Sequence, residues 1–205
     1  MFVLPGRTPV EVEPSSYDKI RDSAMKVFAA QGVAATSLRM VAEEAGVSTG
    51  LVQHYFHTKA GLVNAIDDHV LRIMRETVEA TPLPDPPADP LIEMGRRVAE
   101  LFHKQAGLLD YVARTLVDGD EIGSVIFDGL VAISTTQWHQ LSERGLAQSD
   151  LDPVWAVLHP VLLRFGPIIL RPHIERHLGE SFTSTTQLKR WDTAVTALLR
   201  DGQMQ

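Results

Sequence analysis

The sequence predicts an all-α protein. Apolar residues recur at spacings of three and four along most of the chain, which is the period of a helix with one buried face. Serine, aspartate, glycine and proline stand where such helices would begin or end. No segment shows the two-residue alternation that is typical of a half-buried strand.

Composition narrows the classes of function. The 205 residues include no cysteine, which excludes a disulfide framework, a thiolate metal site and a cysteine nucleophile. The net charge of −7 disfavours nonspecific binding to polyanions but allows a local surface that binds them.

The sequence also indicates where the protein works. We find no basic start followed by an apolar core and a cleavage site, so we expect no signal peptide. The longest apolar stretch, 154–170, is interrupted by His159 and Arg164 and therefore predicts buried core rather than a membrane span. We expect a cytoplasmic protein with no membrane partner.

The N-terminal part predicts an arm followed by four helices. Residues 1–14 contain three prolines and predict a flexible arm. The first helix begins at a capping box formed by Ser15 and Asp18 and ends at Gly32. The next three helices are expected at about 37–46, 48–56 and 58–78.

A proline-rich segment at 81–90 separates these helices from a second helical region. We predict helices over 90–107, 108–116 and 120–144, a further helix from 153, a short one over 168–178 and a last one from 184. Pro160 is expected to kink the helix that starts at 153, and the Gly166-Pro167 pair to end it. The last helix is expected to bury Leu198 on its apolar face.

The segment 38–57 has the pattern of two helices that cross through a tight turn. Gly46 lies at the turn, where glycine tolerates a positive φ, and Ser48 caps the second helix. Small or apolar side chains stand where the two helices must meet, at Val41, Ala42, Ala45, Val47 and Val52. The exposed side of the second helix carries short or hydrogen-bonding residues suited to base edges and phosphates, namely Thr49, Gly50, Gln53 and His54.

Residues 16–63 resemble the DNA-binding domain of TetR-family transcriptional repressors. The residues that carry the resemblance are Phe28, Gly32, Thr36, Val41, Ala42, Ala45, Gly46, Val47, Ser48, Gly50, His54, Tyr55, Phe56, Lys59 and Leu62. The family usually has tyrosine where this chain has Gln53, so its operator preference cannot be transferred. The C-terminal region carries no comparably specific motif.

The resemblance implies a homodimer that reads a roughly palindromic double-stranded DNA operator, with the third helix of each subunit in a major groove. It further implies that Thr36, Ser37, Arg39, Tyr55 and Lys59 lie near phosphates, beside the base-facing set Ser48, Thr49, Gly50, Gln53 and His54. A small-molecule effector, for which we expect apolar or aromatic character, would bind in the C-terminal domain and release the repressor.

The predicted architecture is therefore an arm at 1–14, a three-helix helix-turn-helix DNA-binding domain at 15–62, and a helical ligand-binding and dimerisation domain at 63–205, joined by a long helix. Polar or aromatic residues that interrupt apolar helices are the candidate ligand contacts, namely Phe102, Tyr111, Arg114, Trp138, Trp155, His159 and Arg164. Dimerisation is expected to use 152–178 and 184–200.

Other functions are less well supported by the sequence. His173 and His177 share one helical face, but no third ligand is visible, so we predict no metal and no cofactor. An enzyme fused to a DNA-binding module would need a catalytic constellation, and we find none. A regulator controlled by a protein partner, with no small-molecule pocket, stays open.

Overall fold

The computed structural model describes residues 15–79, 82–85 and 87–204, and the expected arm at 1–14 lies outside them. Regular structure in this part of the chain is helical, apart from one isolated bridge between Ala147 and Met204. The helices are α1 (Ser16–Gln31), α2 (Leu38–Ala45), α3 (Thr49–Phe56), α4 (Lys59–Glu79), α5 (Pro90–Lys104), α6 (Ala106–Asp118), α7 (Glu121–Glu143), α8 (Pro153–Ile169), α9 (Arg171–Ile174) and α10 (Thr185–Gln203), with a 3-10 turn at Glu175–His177.

Local capping residues set most helix starts, as the sequence predicts. The side-chain oxygens of Ser15, Ser37 and Ser48 each accept a hydrogen bond from a backbone N–H three residues on, at 3.1, 3.3 and 3.2 Å. Gly46 ends α2 in the left-handed conformation, with φ of 66°. The same capping chemistry opens α10 at Ser184.

The boundary between α5 and α6 differs from the prediction. Helix α5 ends at Lys104 because Gln105 leaves the helical conformation, with φ of −121°, and α6 begins directly at Ala106. Gly107, which was expected to end a helix, lies in the first turn of α6.

The predicted break in α8 is wrong. Helix α8 continues through both Pro160 and the Gly166-Pro167 pair to Ile169. Pro160 has no N–H for the Ala156 carbonyl one turn earlier. The side-chain amide of Gln203, on α10, donates to that carbonyl at 3.0 Å instead. A tertiary hydrogen bond therefore replaces the helical one that proline removes.

One apolar core extends from α1–α3 through α4 into the C-terminal helices. Leu62, Ile66 and Met74 of α4 are all buried in this core. Helix α10 buries Leu188, Val195 and Leu199, whereas Leu198, which was expected on the buried face, is 61% exposed.

The lengths and apolar content of the helices bear on the prediction that no segment spans a membrane. Within 15–79, 82–85 and 87–204, no single helix is long and apolar enough to cross a membrane. Two consecutive helical segments, Pro153–Ile169 and Arg171–His177, are bent by 68° relative to each other. Taken together they meet the criteria for a membrane span, by length and composition only.

Candidate DNA-binding surface and interior cavities

Helix α3 separates a buried face from an exposed one. Val52 and Phe56 are buried, while Gln53, His54 and Tyr55 are exposed. Ser48 and Gly50 are also exposed at the start of the helix, and Thr49 is half-buried. The structure therefore brings the sequence-predicted base-facing residues together on one short helix.

Tyr55 is both packed and accessible. Its ring contacts that of Tyr17 edge-on, with centroids 6.0 Å apart, and the residue keeps 39% of its surface exposed. Tyr17 also packs on the buried Phe56, at 4.7 Å. This aromatic cluster fixes the direction of Tyr55 against α1.

Two of the predicted phosphate contacts have partners inside the protein. Thr36 is buried, and its hydroxyl donates to the Gly32 carbonyl at 2.9 Å. The Lys59 ammonium donates to the Ala34 carbonyl at 3.2 Å, from the first residue of α4. Both side chains stabilise the loop between α1 and α2, and the Thr36 hydroxyl is turned away from solvent.

Two other predicted contacts, Ser37 and Arg39, are exposed at the start of α2. Arg39 makes an ion pair with Glu43 at 2.9 Å, and both partners are largely solvated. Since exposed pairs of this kind contribute little to stability, the guanidinium is easily released to another anion.

The junction between α3 and α4 is a tight turn, which was not predicted from the sequence. His57 has φ of 62° and ψ of −55°, and the Thr58 N–H donates to the Phe56 carbonyl at 2.7 Å, which is the geometry of a γ-turn with positive φ. A Cβ added to Gly61 would lie 2.3 Å from the same carbonyl oxygen. Glycine at 61 therefore permits the close approach of the two helices.

The C-terminal helices enclose two small cavities. The first, of about 50 Å³, lies between α4, α5, α7 and α8 and is mostly apolar. Its lining residues are Met74, Val78, Val98, Leu101, Phe102, Leu130, Ile133, Ser134, Gln137, Pro160, Val161, Arg164 and Phe165. The second, of about 20 Å³, shares Ser134, Gln137, Pro160 and Arg164 with the first, so the two cavities adjoin.

Arg164 is the buried charge between the cavities. It is 7% exposed, and its Nη1 atom is buried with no hydrogen-bond partner in the described structure. Burial lowers the pKa of Arg164, and the Asp192 carboxylate opposes that shift. Burial likewise raises the pKa of Asp192, whereas the charge of Arg164 and the hydrogen bond from Thr196 lower it.

The candidate ligand contacts divide into two groups. Phe102, Trp138 and Arg164 line the interior cavities. Tyr111 is buried away from them, and Arg114 pairs with Asp118 beside an open groove. Trp155 and His159 lie on the outer surface of α8, with their rings 5.4 Å apart. Tyr111, Arg114, Trp155 and His159 therefore lie outside the two cavities, and their assignment as ligand contacts stays a prediction.

A buried polar pair joins α4 to α6. The Tyr111 hydroxyl donates to Asp67 Oδ1 at 2.7 Å, and both residues are buried. Burial raises the pKa of Asp67 to about 6, while the hydrogen bond from Tyr111 acts in the opposite direction. Burial also raises the pKa of Tyr111, so the phenol keeps its proton and stays a donor.

The histidine pair considered for a metal lies at the end of the α8–α9 region. His173 and His177 are exposed, and His173 Nδ1 is 3.2 Å from Arg176 Nη2. No group of three or more metal-ligating side chains occurs among residues 15–79, 82–85 and 87–204.

Known proteins share this arrangement. The family described as "Bacterial regulatory proteins, tetR family" matches residues 20–66, which run from α1 into α4. The chain is 29% identical over 139 residues to the HTH-type transcriptional regulatory protein RaaS of Mycobacterium tuberculosis, which covers 68% of this chain and 63% of that relative. It is 29% identical over 167 residues to the HTH-type transcriptional repressor Rv3405c of the same species, covering 78% and 76%. The chain thus spans less than two thirds of RaaS but about three quarters of Rv3405c.

Among solved structures, SmeT, the repressor of the Stenotrophomonas maltophilia multidrug efflux pump SmeDEF, superposes on the chain with a TM-score of 0.68 at 19% identity. The match covers 94% of this chain and 92% of that one. A likeness at this identity shows a shared all-α fold.

The fold and the exposed face of α3 are similar to those of helix-turn-helix, DNA-binding transcriptional regulators. Residues 20–66 are similar to the DNA-binding part of TetR-family regulators, and the described fold is similar to that of SmeT. Regulators of this family bind DNA operators and typically act as dimers with small-molecule effectors.

Proposed function

We propose that this chain is a repressor whose dimer binds a roughly palindromic operator through α3, and that a small molecule in the C-terminal cavities releases it. The observation that carries the proposal is the course of α4. This helix begins beside α3 at Lys59 and lines the first cavity with Met74 and Val78. At about 1.5 Å per residue it spans about 30 Å between the two sites.

On the DNA side, Thr49, Gln53 and His54 of α3 are the residues we assign to base edges. Ser37, Arg39 and Tyr55 stand around them and are assigned to phosphates, with Ser48 and Gly50 at the helix start. Thr36 and Lys59 are assigned to positioning the α1–α2 loop, since each already donates to a carbonyl of that loop.

On the effector side, the cavities are small. Ligand pockets are typically about 300–1,000 Å³, so a first cavity of about 50 Å³ must enlarge to admit an effector. Enlargement displaces the helices that line it, and α4 is one of them. The hydrogen bond between Asp67 and Tyr111 ties the same helix to α6, which packs against α1. Displacement of α4 would move α3 out of register with the operator.

The dimer interface is assigned to α8 and α10. Both helices expose large apolar side chains that are costly to leave in water, including Val154, Trp155, Leu162 and Leu198. Burial of such a face between two copies explains why Leu198 is not turned into the subunit core.

The relatives support the repressor role in part. Rv3405c is named a repressor, and SmeT is the repressor of an efflux pump. Control by a protein partner is the second candidate, and the small volumes of the two cavities favour it. The unpartnered Nη1 of Arg164 favours a ligand.

Operator binding by single alanine variants tests the DNA-binding assignment. Gln53→Ala and His54→Ala are each expected to weaken operator binding by about 1–3 kcal/mol, measured by fluorescence anisotropy. Gln140→Ala, on the exposed part of α7, is the matched control and is expected to bind as the unmodified chain does. Unchanged binding by both α3 variants would refute the assignment of α3.

A further inference from the structure

The first cavity is lined mostly by apolar side chains and by one charged residue, Arg164. Met74, Val78, Leu130, Ile133 and Phe165 form its apolar wall. Arg164 lines the second cavity as well, so it lies where the two cavities adjoin. A molecule that fills both cavities would therefore have an apolar body and a polar group next to Arg164.

Arg164 lacks the partner that a buried cation needs. Its Nη1 has no hydrogen-bond partner, and no carboxylate within the described residues makes an ion pair with it. Leaving a charge buried and unpaired is costly, and a positioned anion offsets that cost.

Asp192 only partly compensates this charge. Its Oδ1 accepts a long hydrogen bond from Thr196 at 3.4 Å, and the carboxylate packs against Gly95, where an added Cβ would be 2.0 Å from Oδ1. The carboxylate is thus held on the α5–α10 contact. Because burial raises its pKa, it is also less readily charged than an ordinary aspartate.

We propose that the effector is an anionic amphiphile, whose carboxylate or similar anionic group binds Arg164 while its apolar part displaces the side chains of the first cavity. This assignment rests on the proposed function, because it names the ligand of the same cavity. An arginine presents several donors in a planar fork that matches a carboxylate, and binding between the cavities would join them into one pocket.

Isothermal titration of the full chain with linear carboxylates of about six to ten carbons, and with the primary amides of the same lengths, tests the charge requirement. We expect the best carboxylate to bind at least tenfold more tightly than its amide. Arg164→Met keeps the length of the side chain and removes its charge, so it should abolish that preference. Arg75→Met removes an exposed arginine of α4 and should leave the preference unchanged.

Asp192→Asn provides a second variant that keeps the shape of the α5–α10 contact. Since it removes the negative charge that acts on Arg164, we expect it to raise the affinity for the carboxylate severalfold. Lower affinity in this variant, or equal binding of carboxylate and amide by the unmodified chain, would overturn the proposal.

The outcomes separate this inference from the function on which it rests. If carboxylate and amide bind equally and both release the operator, the anionic requirement is wrong and the effector-controlled repressor stands. If no probe of either series binds while the chain still binds operator, the anionic amphiphile is refuted and the DNA-binding assignment of α3 stands.

Discussion

The Tyr111 hydroxyl donates to Asp67 Oδ1 at 2.7 Å, between two buried side chains on α6 and α4. Asp67 follows directly on residues 20–66, which match the DNA-binding family model, so the bond ties α4 to α6 at the end of that segment. Tyr111 was expected from sequence to contact a ligand. Its hydrogen bond to Asp67 also makes it a link between α4 and α6.

Tyr111→Phe tests the strength of this link. The substitution removes the donor and leaves the Asp67 carboxyl buried without it, which is expected to lower the free energy of unfolding by about 1–3 kcal/mol. Urea denaturation followed by circular dichroism measures the change. A variant as stable as the unmodified chain would show that the pair contributes nothing to the fold.

Asp67 also gives the stability a defined pH dependence. Its pKa is about 6 in the folded chain and near 3.8 when unfolded, so the folded state binds the proton more tightly. The contribution of this group is therefore full below about pH 4 and is lost as pH rises through about 6. This contribution is isolated by comparing the urea denaturation midpoints of Asp67→Asn and of the unmodified chain between pH 4 and 7.5. A stability difference that does not vary with pH would contradict the assignment.

Gly61→Ala tests the junction between α3 and α4. The added Cβ would meet the Phe56 carbonyl oxygen, and backbone cannot yield as a side chain can. We expect a loss of about 1–3 kcal/mol in unfolding free energy, together with weaker operator binding. Gly107→Ala is the control, because nothing lies within 4 Å of its Cβ position, and it should be neutral or stabilise by up to about 1 kcal/mol. Equal effects of the two substitutions would refute the role of Gly61.

The continuity of α8 can be tested by a double-mutant cycle. Gln203→Met removes the donor to the Ala156 carbonyl and is expected to cost about 1–2 kcal/mol in the unmodified chain. In the Pro160→Ala background residue 160 has its own N–H for that carbonyl, so the same substitution should cost less. Equal costs in both backgrounds would show that Gln203 does not compensate for the proline.

The sequence predicted the features that local chemistry decides. Ser15, Ser37 and Ser48 cap their helices as expected, and Gly46 makes the turn that orients α3. The exposed set on α3 followed from helical periodicity alone. These features depend on residues within one or two turns, which a sequence shows directly.

Features that depend on distant partners were missed. The Gly166-Pro167 pair and Pro160 indicate a helix end by local rules, but a side chain 43 positions later in the chain satisfies the carbonyl that Pro160 leaves free. Periodicity also cannot tell whether an apolar side chain faces its own subunit or the outside, as Leu198 and Trp155 show. Nothing in the composition around His57 indicates its positive φ.

Selection of bound sequences from a random pool of double-stranded DNA tests the central claim most directly. The unmodified chain is expected to enrich a two-fold symmetric sequence bound by two copies, with half-sites about one turn of DNA, roughly 34–36 Å, apart or a multiple of that distance. A chain carrying both Gln53→Ala and His54→Ala should not enrich that sequence. Failure of the unmodified chain to enrich any sequence, or enrichment of the same sequence by the double variant, would contradict operator recognition through α3.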